Sequence, residues 1–130
     1  MPSEITITAS LTASKGGASV ATGTLSKILD MTGDGVQVQT VSVTDAGTVE
    51  IPIAAAIATL GQCVVKNLDD DYYVDLAYDD GADFAANQFA RLKPGAFILW
   101  RPVFPTLKTK IYGQAQSGHT VMVGAWYVEE

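Results

Sequence analysis

Little in this chain is suited to chemistry. Its 130 residues hold one cysteine, Cys63, and one histidine, His119. A single thiol excludes a disulfide within the chain and any cysteine-based metal cage. A single imidazole excludes a two-histidine metal site. Charge is sparse: 17% of residues, against about 25% in an ordinary soluble domain. Basic residues are the scarcer sign, 8 against 14 acidic, and leave a formal charge of −6. Such a surface repels phosphate, so nucleic acid is not an expected partner. The longest apolar stretch, residues 51–65, contains Pro52, Thr59 and Gln62 and falls short of the ~20 residues that span a bilayer. No membrane partner is expected. Met1-Pro2-Ser3-Glu4 has neither a basic start nor an apolar segment behind it, so the chain is expected to be made without a signal peptide.

What is present is hydrophobicity, at 48% of residues, which excludes a disordered chain. The length suits one domain, residues 1–130, with a core large enough to need no staple. The dominant pattern has period two, the mark of half-buried strands. Ile5, Ile7, Ala9 and Leu11 alternate with Glu4, Thr6, Thr8 and Ser10, until Ser14-Lys15-Gly16-Gly17 breaks the run. Val36, Val38, Val41 and Val43 make a strand whose alternation slips by one, which a β-bulge would explain. Val49, Ile51 and Ile53 form a short strand that Pro52 assigns to a sheet edge. Residues 63–68 and 72–78 read as a hairpin closed by Asp69-Asp70-Asp71. Lys93-Pro94-Gly95 is a type II turn, and Ser117-Gly118 separates the last two strands. Only residues 54–60 have helical character, too short to stand alone. The fold expected is all-β: an antiparallel β-sandwich (jelly-roll-like) or β-barrel of about 8–10 short strands, with at most one short helix near 54–60.

Catalytic signals are absent. No Gly-x-Ser-x-Gly elbow can deliver a serine to His119, and no phosphate-cradling glycine loop occurs. Cys63 reads as a small buried thiol, and His119 as an exposed or capping residue. Asp30, Thr32, Asp34 and Gly35 match the opening of a calcium loop, but Val41 stands where its bidentate glutamate belongs. Asp69, Asp70 and Asp71 with Asp79, Asp80 and Asp83 read as two solvated turns; calcium binding there is the alternative. The expectation is a non-enzyme with no cofactor and no metal.

Two segments carry more apolar residues than one buried face accommodates. In residues 121–128 and 96–100 both faces of the strand are apolar, whereas a sandwich strand should be polar outside. Either another part of the chain or a second chain covers the excess.

Several segments together resemble small all-β structural proteins of tailed-bacteriophage virions. They are Val65-Lys66-Asn67-Leu68-Asp69, Tyr73-Val74-Asp75-Leu76, Phe89 to Leu99 with its Leu92-Lys93-Pro94-Gly95, Ile111 to Ala115, and Trp126-Tyr127-Val128-Glu129. The opening Ile5 to Leu11 fits as well. The resemblance implies a virion component, a capsid decoration (cement) protein assembled in the host bacterial cytoplasm. It would sit on the capsid surface as a homo-oligomer, a trimer by preference, with the major capsid protein as partner. Interface candidates are Phe97, Trp100, Tyr112 and Trp126, since tryptophan and tyrosine dominate binding hot spots. Phe97 and Trp126 are equally candidates for the core. Ile5, Ile7 and Leu11 join the interface list because a terminal strand can add to a neighbour's sheet. The alternatives are a tail, neck or baseplate protein of a phage, and a carbohydrate-binding module using Tyr72, Tyr73 and Trp100.

Overall fold

The computed structural model of the chain describes residues 5–29, 35–55, 57, 59–78, 84–102 and 110–129. They belong to two compact units, Met1–Thr32 and Gly33–Glu130. The sequence reading assigns all 130 residues to one sandwich domain; the sandwich itself lies in the second unit.

The first unit is a two-stranded ribbon of β1 (Ile5–Ala9), β2 (Thr12–Lys15), β3 (Ala18–Ala21) and β4 (Leu25–Leu29). β2 and β3 are joined at Gly16-Gly17, both at positive φ (58° and 86°). A two-residue hairpin turn that matches the strands' twist requires that backbone, and glycine adopts it without strain. Beyond this tip β1 pairs with β4, Ile5 opposite Leu29 and Ala9 opposite Leu25. The Thr22 N–H donates to the Leu11 carbonyl (3.0 Å) and carries the ladder between the two pairs. The break expected at residues 14–17 is therefore a reversal of one continuous ribbon.

The second unit contains β5 (Val36–Thr44), β6 (Val49–Ile51), β7 (Leu60–Asn67), β8 (Val74–Ala77), α1 (Phe84–Asn87), β9 (Gln88–Leu92), β10 (Phe97–Trp100), β11 (Ile111–Ala115) and β12 (Thr120–Glu129). One antiparallel sheet has the order β10-β7-β12-β5, the other β6-β11-β8-β9. Except from β8 to β9, each strand passes the chain to the opposite sheet. Two sheets of four with this order form a jelly roll. Val43, Val65 and Val123 of the first sheet meet Ile51, Leu76 and Ile111 of the second in a fully buried core, with Tyr127 among them. β6 is an edge strand, as Pro52 demands.

Three expectations are corrected. β5 has no bulge: it pairs with β12 without a shift from Val36–Val128 to Thr44–Thr120. The slip arises because Gln37 and Gln39 take the inward positions. Both side-chain amides donate to the Pro52 carbonyl, and the Gln37 Oε1 accepts from the Ala54 N–H (2.7 Å). Val36 and Val38 are thereby turned outward. Next, residues 63–68 and 72–78 are not a hairpin, since β7 and β8 lie in different sheets. Finally, among the described residues the short helix is α1, not a segment at 54–60. There the Ile57 N–H closes one turn on the Ala54 carbonyl (2.9 Å) before β7 begins.

Asn67 explains why the chain crosses rather than turns back. Its fully buried side chain donates to the carbonyls of Tyr72 (2.8 Å) and Leu92 (3.0 Å) and accepts from the Asp69 N–H (2.9 Å). Its own N–H donates to the Ala96 carbonyl. The β7–β8 and β9–β10 crossings meet at this one amide. The second passes through Lys93-Pro94-Gly95, where Gly95 stands at φ 72° and the Ala96 N–H bonds the Lys93 carbonyl. That is the type II geometry expected of Pro-Gly.

Candidate functional site

Side chains directly opposite one another in a sheet point to the same face. On the first sheet, Leu99 stands opposite Val64, Val64 opposite Trp126, and Trp126 opposite Val38. This makes an unbroken apolar row across all four strands, on the face away from the core. Val38 is 71% exposed and Phe97, one row away, 66%. Val36, Leu68 and Met122 extend the surface. Lys66 is the one charge at a strand position of this face, opposite Phe97. The Trp126 indole lies across Gly124: a Cβ there would stand 2.8 Å from its Cη2 and 3.1 Å from its Cζ3.

The second sheet's outer face has the opposite character. Arg91 grips Asp75 through two bonds, Nε–Oδ1 at 2.7 Å and the second amino group to Oδ2 at 2.9 Å, with its guanidinium 4.0 Å above the Tyr73 ring. Gln114 stands opposite Asp75, and Lys110 pairs with Glu50 at 3.4 Å. The first outer face thus carries an apolar row flanked by Thr40, Ser42, Gln62 and Lys66, while ion pairs occupy the second. Monomeric proteins rarely leave contiguous apolar patches of more than a few hundred Å² uncovered.

The seven interface candidates divide among four places. Phe97 and Trp126 share the apolar face. Trp100 points the other way: it stands opposite Cys63, its Nε1–H donates to the Tyr78 hydroxyl (2.8 Å), and its ring packs on Phe89 (5.3 Å). Tyr112 is half-buried on the second sheet, between Glu50 and Ala77. Ile5, Ile7 and Leu11 belong to the ribbon, where Ile5 is buried and Leu11 60% exposed. Sequence reasoning missed Val36, Val38, Val64 and Leu99. The slip in β5 was the available signal for the first two.

The chemistry-bearing residues are engaged elsewhere. Cys63 is buried, which pushes its thiol far above the ordinary range and keeps it unreactive. The Asp69 Oδ1 accepts from the N–H groups of Asp71 and Tyr72 (both 2.8 Å); these bonds hold its pKa below the ordinary carboxylate range. His119 stacks on Tyr72 at 3.6 Å between ring centroids. Tyr72 and Tyr73 precede β8 while Tyr78, the partner of Trp100, follows it, so the three aromatics proposed for sugar stacking form no common platform. Among the described residues no three carboxylates, imidazoles or thiols gather into a metal site. The calcium-loop match at 30–34 and Asp79, Asp80 and Asp83 lie outside the described residues. A cleft of about 530 Å³ is lined by Ile53, Ile57, Leu60, Glu50, Arg101 and Lys110, and its carboxylate is paired with Lys110.

The fold and this surface together define a jelly-roll sandwich with one apolar outer sheet. Comparison with protein-family models, curated proteins and solved structures finds no match.

Proposed function

We propose that this is a non-enzymatic structural protein of a bacteriophage virion, a capsid decoration protein that binds the outer shell as a homo-oligomer and stabilises it. The observation that carries the assembly role is the apolar row Leu99–Val64–Trp126–Val38 on an outer face, beside an opposite face that holds the Arg91–Asp75 and Lys110–Glu50 ion pairs. The virion assignment comes from the resemblance of the Asn67, Tyr73–Leu76 and Leu92–Gly95 segments to phage structural proteins. Jelly rolls serve capsids, lectins and cupins alike, so the fold supports the reading without selecting it.

A decoration protein acts by mass action. Binding only the mature shell at 100 times its dissociation constant stabilises that state by about 2.7 kcal/mol per site. The test is to locate the protein in intact particles by antibody labelling, and to heat purified shells with and without it. Regular labelling over the shell and a higher disruption temperature are expected. Labelling confined to a tail or neck, or shells indifferent to the protein, would overturn the decoration role.

A further inference from the structure

The ribbon of residues 5–29 is amphipathic across both strands. Register places Ile5, Ile7 and Ala9 on one side with Leu25, Lys27 and Leu29, and Ala13 and Lys15 on one side with Val20 and Ala18. The two lysines are the charged members of this otherwise apolar side, and their long stems can lie along apolar surface. Alternation along residues 5–15 carries that side through Leu11. The other side presents Thr6, Thr8, Thr12 and Ser14 with Ser19 and Ser26; Ala21 and Ile28 are its apolar members. Two strands alone are marginally stable in water, so a ribbon with one apolar side needs a surface to lie on. Leu11, Val20 and Leu25 are nonetheless 57–60% exposed.

We propose that the ribbon of one copy lies, apolar side down, across the outer face of the first sheet of a second copy. This deepens the oligomer in the function proposed above and rests on that part of it alone. Charge favours the pairing. Residues 1–32 are neutral, with Lys15 and Lys27 against Glu4 and Asp30, so the entire charge of −6 resides in the sandwich unit. Face-to-face contact of two sandwiches would bring two net charges of −6 together; a ribbon of no net charge does not, and Lys15, Lys27 and Lys66 are the charges left at the contact. Area agrees as well. Eleven residues at ~3.3 Å each make a ribbon roughly 35 Å long, and two strands with side chains are roughly 10 Å wide. Where two copies exchange ribbons, each giving one and accepting the other's, each buries about 700 Å², close to the ~800 Å² per partner of a standard stable interface. The apolar side chains on both surfaces are covered in the same step.

The test uses full-length chains. Leu25→Cys and Val38→Cys are prepared separately, mixed and oxidised; native Cys63 is buried and does not compete. A disulfide-linked pair containing one chain of each kind is expected. Mass in solution gives a second readout: the unaltered chain should be an oligomer, and Val20→Asp with Leu25→Asp should fall to monomer mass while remaining folded by circular dichroism. A monomeric unaltered chain overturns the proposal. So does a doubly substituted chain, Leu25→Cys with Val38→Cys, that links only within itself. Oligomers that exchange ribbons but ignore shells would sink the decoration role and leave this inference standing. Shell binding by a monomer would do the reverse.

Discussion

Gly124 and Trp126 are two residues apart on β12, both on the outer face, and the indole of one covers the bare backbone of the other. A side chain at Gly124 would occupy the ring's place. Gly124→Ala should therefore lift the indole off the sheet, raising its quenching by acrylamide. The atoms displaced are the far end of a side chain, so the stability cost should stay near 1 kcal/mol, the low end for overpacking. A ring whose quenching does not change would show that Gly124 is not its seat.

Trp126 and its neighbour Tyr127 should respond oppositely to truncation. Tyr127 is 1% exposed, with its hydroxyl 3.3 Å from the Ile51 carbonyl, and Tyr127→Ala should cost about 4 kcal/mol in chemical denaturation. Trp126 is 37% exposed and outside the core cluster. Trp126→Ala should cost about 1–2 kcal/mol from lost apolar burial. Its larger effect should appear in oligomer mass measured by light scattering.

Asn67 has no adequate substitute. Asn67→Ala removes the bonds to the Tyr72 and Leu92 carbonyls and to the Asp69 N–H, a loss of about 3 kcal/mol or more. Asn67→Asp keeps the acceptor for Asp69 but faces a buried charge toward the Tyr72 and Leu92 carbonyls. Burial raises that carboxyl's pKa, so the variant should be weakest at neutral pH and recover, relative to the native chain, as the pH falls. Denaturation curves at pH 5 and 7 for both chains test the sign.

Alkaline solution should unfold the protein earlier than its acidic surface alone predicts. Burial raises the pKa of Cys63, Tyr78 and Tyr127 in the folded state. When unfolded, a thiol ionises near pH ~8.5 and a tyrosine near ~10. The protection these groups contribute is whole below those values and is lost as the pH rises toward the folded ones, by up to about 1.4 kcal/mol per pH unit for each group. Cys63→Ala should flatten the decline above pH ~8.5 and Tyr127→Phe above ~10, measured by denaturant titration.

Some of the candidate surface was legible in the chain. Met122, Trp126 and Val128 alternate with the core residues Val121, Val123 and Tyr127, and no polar outer face can be found between them. Val36 and Val38 were hidden, because an alternating pair of valines reads as inward unless the glutamines that alternate with them find backbone partners elsewhere in the chain. Those partners, Pro52 and Ala54, come from the connection after β6. Trp100 misled for the converse reason: its inward position depends on Tyr78, 22 residues earlier and in another part of the sandwich.

Local chemistry alone determined that this would be a protein of short antiparallel strands. Period-two hydrophobicity, Pro52 at an edge and Pro94-Gly95 in a turn act within a few residues, and each did what its stereochemistry requires. Which sheet each strand entered was decided only in three dimensions. A turn at Asp69 or Gly95 serves a hairpin or a crossing equally well, and the choice falls to a buried amide at Asn67 that gathers both crossings to itself. Likewise, alternation can reveal that a strand has two apolar faces, but packing settles which of them meets the core and which is left to be covered.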